Sequence, residues 1–366
     1  MANQPQALLK SKKRNPYISY LKGVAILSII MIHLITWSSV GFSQNIFWLQ
    51  ELLQVGVFIF IFTLGSVAYL AYKDYDNLGV PTKRLIVRGL QLIGIYFLYS
   101  VVKFLIFNFQ TEPYYSALIP KGTFNLISVL TLRAYVVPIS IILTIGVYLI
   151  ISPIFLFISK RTKYPKLFIG GVLILFLILN YLIKLPESPL IDFLYARGNI
   201  TFPLMLWIVP YLAGLYLMMI GLERHKKWLL VMFFVMTLGF YFYLPHAQFL
   251  HPSWSMYPLR PYYIAFCLLM VYLMIWIFSA LERLSKLLGN NKSKLVKCLL
   301  AAIRVIGDST LSIYIFHWLI IDLTMWLFFP KNNLIWLTVP IFLIIFVLIK
   351  LPQIKRYFAD YSDNEK

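Results

Sequence analysis

Apolar runs of about twenty residues recur along almost the whole chain, and they constrain its fold more than any other feature. A run of this length crosses the hydrocarbon core of a bilayer as an α-helix. We identify ten of them, approximately at residues 18–40, 48–72, 88–108, 136–158, 166–184, 202–221, 227–244, 261–280, 306–328 and 333–351. The sequence therefore predicts an all-α, polytopic membrane protein with about ten transmembrane helices.

Composition supports one integral-membrane domain over residues 1–366. Hydrophobic residues make up 61% of the chain and charged residues only 13%, whereas soluble domains contain about 45–50% apolar residues. The segments between the runs are too short for a soluble domain. We expect a basic tail over 1–17, a second tail over 352–366, and a basic amphipathic surface helix within 281–305.

The net charge of +20 follows the predicted topology. Most of the 33 basic residues fall in alternate segments between the runs, on the side of both termini. The opposite segments hold only Lys121, Arg133, Lys184, Arg197, Arg260 and Lys331. This asymmetry places both termini in the cytoplasm and indicates a multi-pass protein of the cell membrane. Nucleic-acid binding is not expected, because no basic surface is assembled on a soluble fold.

A histidine and a lysine share one face of the first predicted span. Lys22 and His33 are eleven residues apart, which is three helical turns, or about 16 Å along the axis. Lys22 can then reach the interface while His33 lies deep in the membrane. An ionisable side chain at that depth is a functional-site hypothesis by default. The alternative is a neutral histidine that is hydrogen-bonded to a neighbouring helix.

The ninth run carries a second histidine on a polar stripe. Thr310, Tyr314 and His317 follow one another at i, i+4 and i+7, which places them on one helix face. Such a stripe turns toward the bundle interior, where partners can satisfy it. His33 and His317 lie at similar predicted depths, so they could face one cavity or be aligned by chance.

Two arginines mark the cytoplasmic start of the third run. Arg84 and Arg88 are four residues apart and share a face near a helix N-terminus. Paired guanidinium groups in this setting suit phosphate groups. The alternative is that they serve only as orientation charges.

Other polar side chains carry weaker expectations. Lys103 is expected to extend to the lipid headgroups, and Glu51 and Gln54 to be solvated at the outer interface. Asp322 lies on a different face from His317. His246 and His251 are expected in a solvated loop rather than in a zinc site. The two cysteines, Cys267 and Cys298, match no metal site, and no metal is expected.

On these residues, the chain resembles the acyltransferase-3 family of integral-membrane acyltransferases. The family's first helix carries Arg-x10-His, and Lys22 and His33 occupy those places, with lysine replacing arginine. Residues 56–65 follow the family's second-helix pattern Gly-Val-x-x-Phe-Phe-x-x-Ser-Gly without its second Phe and its Ser. A late-helix pattern of Gly, Ser, Tyr and His is similar to Gly307, Ser309, Tyr314 and His317. The family's Arg-x-x-Arg differs from Arg84-x3-Arg88.

The resemblance implies a membrane O-acyltransferase that moves an acyl group, acetyl in the first instance, from acetyl-CoA to a hydroxyl of a cell-surface carbohydrate. Lys22, Arg84 and Arg88 would hold the donor phosphates at the inner mouth. His33 would be the general base or a transient acyl carrier. His317 and Tyr314 would orient His33 or donate to the oxyanion.

A polysaccharide-export component or transporter without acyl transfer is the alternative. Family members assigned to polysaccharide export or to intercellular-adhesin modification are especially similar in the first helix. In that case the polar stripe would line a pathway, and activity would not depend on a thioester donor.

Overall fold

The protein is described by a computed structural model. It covers residues 15–37, 47–75, 77–107, 126–132, 139–182, 193–194, 202–222, 226–252, 256, 259–328 and 335–363. Within these residues the chain forms α-helices and no β-strand. The helices are α1 (Pro16–Trp37), α2 (Phe47–Tyr72), α3 (Gly79–Phe107), α4 (Leu126–Leu130), α5 (Ser140–Arg161), α6 (Pro165–Leu182), α7 (Leu204–Ile220), α8 (Lys226–Gly239), α9 (His246–Leu250), α10 (Pro261–Leu287), α11 (Gly289–Asp308), α12 (Thr310–Phe328), α13 (Ile335–Ile349) and α14 (Leu351–Asp363).

The helix lengths confirm an all-α membrane protein. Among the described residues, five helices are long and apolar enough to cross a membrane: α1, α2, α3, α5 and α10. Two bent pairs, α11 with α12 and α13 with α14, raise the number to seven if each pair is one span. Three shorter apolar helices, α6, α7 and α8, fall below this length.

Helix α1 lies at the centre of the bundle and packs against α2, α10, α11 and α12. Its closest approach is to α11, where Gly23 faces Ile303 and Gly307 faces Ser19. A Cβ at Gly307 would collide with the carbonyl oxygen of Ser19. Small residues allow helix backbones to approach in this way inside membranes, so Gly307 fixes the start of α12 relative to α1.

Two half-buried carboxylates anchor the first turns of α1. Glu282 of α10 accepts hydrogen bonds from Tyr17 (2.9 Å) and Tyr20 (3.1 Å). Asp308, the last residue of α11, accepts one from Ser19 at 2.7 Å. The neighbouring face of α1, which carries Lys22, is thereby held in place.

The ninth apolar run is not one straight helix as predicted. Helix α11 ends at Asp308, α12 begins at Thr310, and their axes differ by 77°. The Asp308 carboxylate holds the end of α11, since its second oxygen accepts a hydrogen bond from Tyr357 of α14 at 2.8 Å. The amphipathic helix expected within 281–305 corresponds to α11, and the predicted C-terminal tail contains α14, which packs on α11.

Candidate functional site

The two histidines of the apolar runs are in direct contact. His33, near the C-terminal end of α1, and His317, on the second turn of α12, face each other with Nδ1 of His33 3.0 Å from Nε2 of His317. Their ring planes differ by only 3°. The His317 side chain is fully buried, whereas the His33 side chain is partly exposed. The accessible member of the pair is therefore His33.

The hydrogen bonds of His317 select the tautomers of both neutral rings. Nδ1 of His317 lies 3.2 Å from the carbonyl oxygen of Ile313, which can only accept, so Nδ1 carries the proton. Nε2 of His317 is then an acceptor and Nδ1 of His33 donates to it. Nε2 of His33 keeps its lone pair, and no described residue forms a hydrogen bond to it. A lone pair on an accessible imidazole is what a general base or nucleophile requires.

Aromatic rings enclose the histidine pair. The indole of Trp318 lies 4.3 Å, centroid to centroid, from His33. Tyr314 contacts His317 edge-on at 5.2 Å and stacks on Phe60 of α2 at 5.9 Å. These contacts fix the imidazole orientations, and they bring the Tyr314 side chain beside the pair as the sequence pattern predicts.

A cavity of about 440 Å³ lies at the N-terminal end of α12, before Tyr314. Its polar lining includes Lys22 of α1, Arg88 of α3 and Asp308 of α11, and its apolar walls come from α2, α3 and α5. Phe60 and Thr310 also line it. Two of the three predicted donor-binding side chains, Lys22 and Arg88, thus share one cavity.

Arg84 lies outside the lining of that cavity. Its side chain is exposed, and one guanidinium nitrogen lies 3.4 Å from the Tyr75 hydroxyl. Arg84 and Arg88 share a face of α3, yet only the second points to the cavity.

One face of α12 connects the cavity to the histidine pair. Thr310 lines the cavity, and Tyr314 and His317 follow on the same face. All three are buried. The rise from Thr310 to His317 is about 10 Å along the helix, so the imidazoles lie about two turns of α12 beyond the cavity lining.

The expectation that Lys103 extends to the headgroups is wrong. Its ammonium lies 3.1 Å from the carboxylate of Asp322, and the two side chains are 1% and 3% exposed. Tyr99 donates a hydrogen bond to the other Asp322 oxygen. The ion pair joins α3 to α12, and sequence analysis missed it because nothing in the spacing of either run indicates the other helix.

Glu51 is also buried rather than solvated, with 4% of its surface exposed. His251, half-buried, lies 3.7 Å from its carboxylate, so this loop histidine packs against the outer end of α2. His246 is exposed, as expected for a loop. Among the described residues, no three His, Cys, Asp or Glu side chains are grouped so that they could hold a metal ion.

Comparison with known proteins identifies the family to which the chain belongs. The chain belongs to the acyltransferase-3 family: the family model described as an acyltransferase domain matches residues 15–351. Both histidines, Tyr314 and the cavity lie within the matched segment. Family membership supports membrane acyltransferase activity and confirms the resemblance drawn from the motifs. No curated protein and no solved structure matches the chain.

Proposed function

We propose that the protein is a membrane O-acyltransferase that carries an acetyl group from cytoplasmic acetyl-CoA to a hydroxyl of a cell-surface glycan. The main support for this proposal is the His33–His317 contact at 3.0 Å, close to a cavity that is lined by two basic side chains. The proposal places the protein in the plasma membrane with ten spans and both termini inside, counting α6, α7, α8 and the two bent pairs as spans.

The donor would bind from the inner side. Lys22 and Arg88 are positioned to pair with phosphate groups, as cations do in charge-assisted hydrogen bonds. The pantetheine arm would lie along the apolar walls of the cavity. In this position the thioester would point toward Tyr314. Arg84, outside the cavity, would add attraction at the entrance and little more.

The acceptor hydroxyl would meet the thioester at His33. Nε2 of His33 takes the hydroxyl proton while the oxygen attacks the thioester carbonyl. The carbon–sulfur bond then breaks, the ester remains on the acceptor, and the sulfur leaves as thiolate, which takes the proton back from His33. His317 holds His33 in the reactive tautomer, and the Tyr314 hydroxyl would donate to the oxyanion.

The direct test is coenzyme A release by purified protein supplied with acetyl-CoA and a cell-surface glycan fraction as acceptor, measured together with acetyl-CoA binding. His33→Ala should abolish release while binding persists. His246→Ala, which removes an exposed histidine at the start of α9, is the matched control and should behave as wild type. Normal release by folded His33→Ala would overturn the catalytic assignment.

The same samples separate the transferase from an export component. Release that depends on His33 supports acyl transfer. Absence of both donor binding and release in the folded wild-type protein would contradict the transferase and favour export without bond formation. An acyl group trapped on His33 would replace the general-base role with that of a covalent carrier.

A further inference from the structure

Helices α3 and α12 contribute side chains to the same cavity and to the same ion pair. Leu92 of α3 and Leu311 of α12 both line the cavity. Eleven residues beyond each leucine stand Lys103 and Asp322, which form the ion pair. Eleven residues are three helical turns, so each charged side chain continues the face of its cavity-lining leucine. The two helices therefore run in the same direction, with the cavity between their first halves and the ion pair between their second halves.

The outer cluster, defined as Tyr99, Lys103 and Asp322, fills the space between those second halves. Both oxygens of Asp322 are engaged, one by the Lys103 ammonium at 3.1 Å and the other by the Tyr99 hydroxyl. All three side chains are buried. A buried ion pair of this kind is weak as a source of stability, and ionisable groups in membrane spans mark functional positions.

We propose that the outer cluster closes the groove between α3 and α12 on its outer side, where the two helices end, and so shields the acyl donor in the cavity from outside water. The identity of the shielded molecule rests on the proposed function. Outside water that reached the thioester would hydrolyse it: the water oxygen bonds to the acyl carbon, the carbon–sulfur bond breaks, and free acid and coenzyme A thiol are released. The outer cluster thereby sets the ratio of transfer to hydrolysis.

The closure can be tested without any enzymatic assay. Ile95, the cavity-lining residue one turn before Tyr99, is replaced by cysteine in a chain whose Cys267 and Cys298 are serine. A membrane-impermeant thiol reagent is then applied to sealed vesicles of known orientation from the outer side. We expect no modification with the outer cluster intact, and modification when Lys103→Ala and Asp322→Ala are combined. The double variant leaves no unpaired buried charge.

Two further variants distinguish closure from general disruption. Lys103→Met with Asp322→Leu refills the space with apolar side chains and should again block modification. Ser100→Ala removes a buried hydroxyl on α3 that bonds within its own helix to Tyr96, and it should leave Ile95→Cys unmodified. Modification of Ile95→Cys from outside with the cluster intact would overturn the proposal. The proposal would also be overturned if Ile95→Cys stayed unmodified in a folded protein that carries Lys103→Ala and Asp322→Ala. If that double variant does not fold, Lys103→Ser with Asp322→Ser takes its place.

Coenzyme A release without any acceptor gives an independent measurement. Because exclusion of water from a closed site prevents such side reactions, release should rise about tenfold in the Ala/Ala variant and stay at the wild-type rate in Ser100→Ala. Unchanged release in an Ala/Ala protein that is modified from outside would overturn the link to hydrolysis. If wild type neither binds nor cleaves acetyl-CoA, the proposed function fails, while the modification experiment still decides whether the outer cluster closes the groove.

Discussion

Helix α12 is tied to its neighbours by two polar pairs of opposite character. His317 meets His33 of α1, and Asp322, five residues further on, meets Lys103 of α3. The histidines leave one nitrogen lone pair and some surface of His33 available. The ion pair and Tyr99 use both carboxylate oxygens and bury all three side chains. We therefore expect the histidine pair to take part in the reaction, and the ion pair to join α3 to α12 and, as proposed above, to close the groove between them.

The comparison also explains why the two pairs should respond differently to mutation. Breaking a buried ion pair leaves an uncompensated charge, which costs stability. Removing one of two neutral imidazoles leaves no charge behind, and its cost should appear in the rate. The four predictions that follow test this division, and they run from the largest expected effect to the smallest.

Asp322→Asn should be the most damaging single substitution. It leaves the Lys103 ammonium buried beside a neutral amide, at a cost of about 3–5 kcal/mol. Thr324→Val on the same helix removes only the Thr324–Thr338 hydrogen bond and should cost about 1 kcal/mol. Denaturant unfolding in detergent measures both. Equal costs for the two variants would show that the ion pair does not bear on stability.

His317→Ala should spare the fold and reduce the rate. Without Nε2 of His317 to accept from Nδ1, His33 loses its orientation and its fixed tautomer, and kcat should fall by about 10²-fold or more. The KM for acetyl-CoA should not change, because His317 is buried away from the cavity. His317→Gln, whose side-chain oxygen can replace Nε2 as acceptor, should recover part of kcat. A change confined to KM would contradict a positioning role.

Sequence alone raised one of these pairs as an open possibility and did not raise the other, for a physical reason. His33, Tyr314 and His317 stand out because histidine and stripes of polar residues are costly in apolar helices, and helical periodicity places them on defined faces. Lys103 and Asp322 are equally costly in an apolar helix, but each run taken alone gives no sign of a partner, and Lys103 is then expected to extend to the headgroups. Only the Lys103–Asp322 contact between α3 and α12 overturns that expectation.

The architecture, too, has features that the sequence predicted and features that it did not. Run length and charge asymmetry predicted a helical membrane bundle, which the structure confirms. The break at Ser309 was not predicted, since it depends on Asp308 being held by Ser19 and Tyr357 from two other helices. Gly307 belongs to the family-like pattern, and its role is a close backbone contact with Ser19. Motif spacing indicates candidate residues, and the fold shows which of them pack against a neighbouring helix and which line the cavity or contact one another.

Tyr314→Phe should have an intermediate effect. The ring contacts with Phe60 and His317 survive, and only the hydroxyl is lost. If that hydroxyl donates to the developing oxyanion, the loss of a hydrogen bond to a charged group should lower kcat by about 10- to 100-fold. Tyr272→Phe is the matched control, because the buried Tyr272 hydroxyl has no hydrogen-bond partner among the described residues. Equal activity of the two variants would show that the Tyr314 hydroxyl takes no part in the reaction.

The smallest effect separates the two arginines of α3. Arg88 lines the cavity with Lys22, while Arg84 is exposed beside Tyr75. Arg88→Ala should raise the KM for acetyl-CoA about tenfold, the effect of losing about 1.4 kcal/mol of binding. Arg84→Ala should raise it by less than about twofold, because Arg84 lies outside the cavity lining and a lone exposed charge contributes little. Added salt should diminish both effects, because both side chains are exposed. Equal increases in KM for the two variants would mean that donor recognition occurs at the membrane surface rather than inside the cavity.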